Sequence, residues 1–193
     1  MKQYNVFPEC NVDTNLVGFI LGGYAKHKSS CNEVVKTVNQ ATGFAVGVID
    51  ADKRQATMDP GFEEYKLDEN VDGEKRHIAM FVHQDGRRFM FTVKPAMDKF
   101  ILDAAADQHV DLGAAGFPTT LEGFKKVTKR IQAADDHELR RLFGMIAGYD
   151  ELQRFRNTLK YLMTKQYDVD VDKVKRFFKG DLSSDDLAVY LTK

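Results

Sequence analysis

The chain has 193 residues, with 28 Lys and Arg against 29 Asp and Glu, and its 43% apolar content includes 14 Phe and 7 Tyr. This is the size of one ordinary domain, or of a domain with a small appendage, and its apolar content excludes a disordered chain. A formal charge of -1 excludes a protein that coats nucleic acid or anionic membrane by bulk charge, so a polyanionic partner has to be held locally.

In chain order, Gln3 to Phe7 is a short strand candidate. Asp13 or Thr14 is expected to cap a helix carrying Leu16, Val17, Ile20 and Leu21, which Gly22-Gly23 stops. A second helix is expected from about Ser30 to Gln40, with Val34, Val35 and Val38 on one face. Thr42-Gly43 then leads into the nearly all-apolar run Phe44 to Ile49. Continuous hydrophobicity of that kind fits a parallel strand buried on both faces, and strand, helices, strand implies right-handed crossovers with helices covering a sheet. The expected core is therefore α/β, a Rossmann-like parallel sheet flanked by helices.

Residues 51–76 are polar, with Asp59-Pro60-Gly61 as turn chemistry, and read as a mobile loop. A hairpin follows, His77 to His83 and Arg87 to Val93, in which Asp85-Gly86 suits a tight primed turn. Pro95 is placed at the first turn of a helix through Ala105, and Thr119-Thr120-Leu121-Glu122 offers a capping box for another through Ala133. Further helices are expected over Asp136 to Ala147, Asp150 to Gln166, Asp172 to Phe178 and Ser184 to Leu191. Residues 118–193 hold 15 basic and 12 acidic side chains, leaving 13 and 17 for residues 1–117. The apolar pattern changes at the same place, which sets an expected boundary near Pro118: an α/β domain over 1–117 and a helical extension over 118–193.

No apolar run approaches the roughly 20 residues of a transmembrane helix, and the first residues carry no signal-peptide hydrophobic region, so no membrane association and a cytoplasmic location are expected. Cys10 and Cys31 are too few for a disulfide framework or a complete zinc site and read as buried free thiols.

The chemistry concentrates in carboxylates. Glu9 lies just past the first strand, and Asp50-Ala51-Asp52 lies at the end of the apolar strand. In a parallel sheet both fall at the carboxyl edge, where ligands bind at a topological switch point. Close carboxylates repel unless protonated or bridged by cations, and hard oxygen ligands suit Mg²⁺ or Mn²⁺ completed by substrate phosphate. Asp-x-Asp alone is a weak signal, since Asp168, Asp170 and Asp172 repeat it with no preceding strand. A shared site requires Glu9 to lie within about 10 Å of the two aspartates, given metal–oxygen distances a little over 2 Å.

Val6-Phe7-Pro8-Glu9, the helix opening Asp13-Thr14-Asn15-Leu16-Val17, and Val46-Gly47-Val48-Ile49-Asp50-Ala51-Asp52-Lys53 together resemble the Toprim domain shared by topoisomerases, DnaG-type primases and small bacterial nucleases, including the overcoming-lysogenisation-defect nucleases. The resemblance covers about residues 3–54 and extends at most to Ala105. It implies a Toprim-type sheet and metal-dependent cleavage or transfer of nucleic-acid phosphodiesters, on DNA or RNA. It also implies Glu9 as general acid or base and metal ligand, and Asp50 and Asp52 as ligands of Mg²⁺ or Mn²⁺; Lys53, directly after the aspartates, is a candidate basic group to assist catalysis. Lys28, Lys53 and Arg54 are the candidate phosphate contacts, with His27-Lys28-Ser29-Ser30 leading into a helix amino terminus.

The family has a strand between its first two helices, where Ala25 to Ser29 shows little strand character. It commonly has glycine where Cys10 stands, which motivates a second reading: a non-catalytic Toprim-like subunit that binds a protein partner through its helical half. A phosphatase of the haloacid-dehalogenase type also carries Asp-x-Asp after an apolar strand, but Lys53-Arg54 and the position of Asp50 argue against it. Asp98, in the first turn of the Pro95 helix, is in reach of the carboxylate pocket, although favourable placement against the helix dipole explains it more simply. The basic run Lys125, Lys126, Lys129, Arg130 is read first as a solvated face.

Overall fold

A computed structural model describes residues 3–51, 57–66, 76–183 and 186. Its elements run β1 (Val6–Pro8), α1 (Asn11–Leu21), α2 (Cys31–Asn39), β2 (Ala45–Asp50), β3 (Phe62–Lys66), β4 (Ile78–His83), β5 (Arg88–Val93), α3 (Met97–Asp107), α4 (Leu121–Thr128), α5 (His137–Met145), α6 (Asp150–Lys165) and α7 (Val171–Lys179), with single 3-10 turns at Ile131–Asp135 and Gln166–Asp168. The molecule is α/β: a five-stranded mixed sheet of order β1-β2-β5-β4-β3 flanked by helices.

The apolar strand β2 is central among the parallel strands. It pairs in parallel with β1 through Val6–Val46 and with β5 through Phe89–Val46, and it is buried on both faces, as its sequence requires. Its alternation divides the core. Val46 and Val48 join the large cluster on the face covered by α1, α3, α5, α6 and α7, where Phe91 meets Phe155 and Phe178 ring against ring. Ile49 points to the other face, where Val34, Val35 and Val38 of α2 pack with Met90. Gly47 lets α2 come this close: a Cβ built there would stand 2.3 Å from Met90 Sδ and 2.8 Å from Val34 Cγ1. The large cluster runs from Val6 to Phe178 and draws side chains from both sides of Pro118.

Chain order explains where the helices start. After β1, α1 crosses one face and returns the chain to residues 24–28, which run beside β1 on the side away from β2. Gln3 and Tyr24 form a parallel bridge, Tyr4 N donates to Tyr24 O, and the Lys26 and Lys28 amides donate to Val6 O and Pro8 O. The segment thus follows β1 where little strand character was expected, although it is too irregular to count as a strand. From there α2 crosses the opposite face to β2. The connections leave β1 in opposite directions, so β1 and β2 flank a topological switch point, and α1, α2 and α3 all begin at the carboxyl edge of the parallel strands.

Several local expectations change. Cys10, not Asp13 or Thr14, precedes the first turn of α1; the Asp13 carboxylate reaches back to accept from Cys10 N at 3.3 Å, and the Thr14 hydroxyl donates to Cys10 O at 2.8 Å. The supposed loop over 51–76 contains β3, an edge strand in which only Tyr65 is buried, so exposed Glu63, Glu64 and Lys66 hid it. The hairpin is present, but its turn is not a primed pair: only Gly86 has positive φ (68°), and Asp85 Oδ1 accepts from the Arg87 and Arg88 amides, giving the longer loop 84–87. Pro95 lies ahead of α3, whose first helical residue is Met97. The α4 helix begins at its Thr120 cap as expected but stops at Thr128. The helix expected over Ser184 to Leu191 lies outside the described residues apart from Asp186.

Candidate functional site

At the carboxyl edge, Glu9 extends the β1–β2 ladder by one bond, its amide donating to Val48 O at 3.0 Å. Its side chain then turns toward β2, and Oε2 accepts from the Asp50 amide at 3.2 Å. Asp50 shares the parity of Val46 and Val48, so it faces the α1 and α3 side, and its Oδ1 accepts from the Met97 amide at the start of α3 at 2.8 Å. The Glu9 carboxylate therefore touches the Asp50 backbone at the switch point, while the Asp50 carboxylate is turned to the start of α3. Asp52, Lys53 and Arg54 lie outside the described residues.

A third carboxylate belongs to this group and was assigned only a capping role from sequence. Asp13 is fully buried, and burial, the charge of Asp50 and, to a lesser extent, that of Glu9 push its pKa well above the ordinary carboxylate range, against the hydrogen bonds from Cys10. Its Oδ1 is buried with no hydrogen-bond partner among the described residues. The same holds for Oδ1 of Asp98, next to the amide that Asp50 accepts from and 7% exposed. Burial first, then the negative charge of Asp13, pushes the Cys10 thiol up, so it stands here as a neutral thiol. Among the described residues no three His, Cys, Asp or Glu side chains form a group arranged to hold a metal ion.

The basic side of the edge is built by residues 26–30. Lys28 Nζ lies 5.5 Å from the centre of the Phe7 ring, with Lys26 Nζ at 5.7 Å from the same ring. Ser30 caps α2 by accepting from Glu33 N, and the Glu33 carboxylate accepts from both Ser29 N and Ser29 Oγ. These bonds hold Glu33 below the ordinary carboxylate range, helped by Lys28 and His27. The anion at this helix terminus is thus the chain's own Glu33.

The same sheet edge carries a second polar cluster farther along. Glu151, 2% exposed in the first turn of α6, accepts from the His77 and Ile78 amides through Oε1 at 2.8 and 2.6 Å, while its Oε2 lies 3.1 Å from His77 Nδ1. His77 Nε2 lies 2.9 Å from Asp103 Oδ2 of α3, and Lys99 donates to Oδ1 of that aspartate. The sequence held one pointer to it: Glu151 falls on the apolar stripe of α6 beside Leu152 and Phe155. At the far end of β4, His83 is 5% exposed among Asp59, Asp85 and Arg88.

Comparison with protein-family models, curated proteins and solved structures returns no match to the chain. No helix among the described residues is long and apolar enough to cross a membrane.

Proposed function

We propose that this is a Toprim-like protein that cleaves or transfers nucleic-acid phosphodiesters with the help of Mg²⁺ or Mn²⁺. The single observation that carries the reading is the contact between Glu9 and Asp50 at a switch point of parallel strands. Two further features support a cation there: the donors are hard carboxylate oxygens, and the buried Oδ1 atoms of Asp13 and Asp98 lack partners at the same edge. Glu9, Asp50 and Asp52 would hold the ion, which would offset phosphate charge and make a bound water more acidic.

The chain's own groups do the rest. The Glu9 carboxylate accepts the proton of the attacking water, and Lys28, Lys53 and Arg54 hold phosphate oxygens, with Lys53 stabilising charge as the bond breaks. The test is Mn²⁺-dependent cleavage of single- and double-stranded DNA and RNA by the parent, Glu9→Gln, Asp50→Asn and Asp52→Asn. Loss of cleavage in the variants, with weaker Mn²⁺ binding by calorimetry, is expected; equal rates in all four proteins overturn the reading. Cys10 in place of glycine favours a second one, a non-catalytic subunit for a protein partner, which predicts a stable complex on co-purification and no turnover.

A further inference from the structure

The Thr14 hydroxyl has one hydrogen and two partners. One is the carbonyl oxygen of Cys10 at 2.8 Å, which can only accept, so Thr14 donates there. The other is His27 Nδ1 at 2.9 Å, which must then be the donor. The contact thus fixes the tautomer: Nδ1 carries a hydrogen and is tied to Thr14, which leaves Nε2 as the ring nitrogen turned to its surroundings. The ring is exposed, and Nε2 has no partner among the described residues.

The position of His27 is set by backbone. Its neighbours Lys26 and Lys28 donate to Val6 O and Pro8 O, which holds residue 27 beside the end of β1, on the side of Glu9 away from Asp50. Adjacent strands are about 5 Å apart, so the backbones of His27 and Asp50 flank that of Glu9 over roughly 10 Å. The charged neighbours of His27 include Lys26 and Lys28 on its own segment and Glu33 from α2, whose carboxylate is tied to Ser29. A carboxylate and an imidazole oriented by a hydroxyl, carried by neighbouring backbone at one strand end, are an acid–base pair of the kind that displacement at phosphorus uses.

Resting on the phosphodiesterase reading above, we propose that His27, oriented by Thr14, is the proton donor to the leaving oxygen. Water oxygen forms the new bond to phosphorus and gives a proton to Glu9. The bond from phosphorus to the leaving oxygen breaks, and that oxygen takes the Nε2 proton. Solvent removes the proton from Glu9 and restores the one on His27, so the net reaction is hydrolysis.

Two measurements on the full chain test this. Long-range ¹H–¹⁵N correlation spectra of histidine-labelled protein, with His27 assigned by its loss in His27→Gln, should show the Nδ1–H tautomer; Thr14→Val should shift it toward Nε2–H and Thr14→Ser should retain it. An Nε2–H tautomer in the parent overturns the inference. In kinetics, His27→Gln should slow hydrolysis of a nucleic-acid strand by about 100-fold and leave a p-nitrophenyl phosphodiester, whose leaving group needs no proton, nearly unchanged. Equal slowing of both substrates, or of neither, overturns the inference and leaves the phosphodiesterase reading standing. A parent that cleaves neither removes both.

Discussion

Two acidic clusters share one edge of the sheet, and they differ in how their carboxylates are partnered. Beside β4 and β5, every partner is in place: Glu151 receives two amides and faces His77, which in turn faces Asp103, which Lys99 also reaches. Although burial pushes Asp103 up, its bonds to Lys99 and His77 hold it below the ordinary range, and hydrogen bonding to Glu151 pulls His77 up against burial. Beside β1 and β2, Asp13 is instead driven up by burial and by Asp50, and the buried Oδ1 atoms of Asp13 and Asp98 have no partner among the described residues. The first cluster anchors the fold through its own bonds; in the second, burial and neighbouring charge work against the ionised form of Asp13.

The comparison can be broken from either side. The largest effect is expected in activity: Asp50→Asn or Glu9→Gln should lower Mn²⁺-dependent cleavage by about 100-fold or more, read from initial rates, with little change in urea midpoint. The self-satisfied cluster should respond in the opposite way. Glu151→Ala leaves two amides and a histidine without their acceptor and should cost about 3–5 kcal/mol in urea unfolding, because a buried charge partner is removed while its mates stay buried. If Glu151→Ala is as stable as the parent, the anchoring role is wrong.

Asp13→Asn gives a smaller effect of opposite sign. A carboxyl whose folded pKa is raised keeps its proton longer when folded, so its contribution to stability falls as pH rises from about 4 through the folded value. Removing the charge should therefore stabilise the metal-free protein at pH 8 by about 1 kcal/mol and do little at pH 3.5. The smallest expected effect is the pH dependence of His77. Its folded pKa is raised, so the stability it contributes is complete below about pH 6.5 and is lost as pH rises through the folded value. The parent should lose denaturation free energy above neutrality, and His77→Gln should flatten that part of the profile.

Much of the layout was legible in the chain. The unbroken apolar run into Ile49 fixed a doubly buried parallel strand, and with it the edge at which Glu9 and Asp50 meet. Ser30, Thr120 and Gly22 marked helix ends because capping is local chemistry. Expectations failed where partners are distant in sequence. Asp13 read as a cap because nothing local says that Asp50 lies beside it, and the role of Glu151 depends on residues more than seventy positions earlier. The strand β3 was hidden because an edge strand exposes most of its side chains and so resembles loop. The orientation of His27 rests on a hydroxyl thirteen residues earlier, a pairing that no periodicity encodes.

Residues 24–28 carry a further consequence. By strand order alone, β1 would end the sheet with a row of open amides and carbonyls, the template onto which a neighbouring molecule adds its own strand. The irregular segment bonded along that flank occupies this row without extending the template, since it is neither straight nor regular enough to pass the ladder on, and Lys26 and Lys28 bring positive charge to it. The flank that orients His27 is thereby also a guard against edge-to-edge self-association.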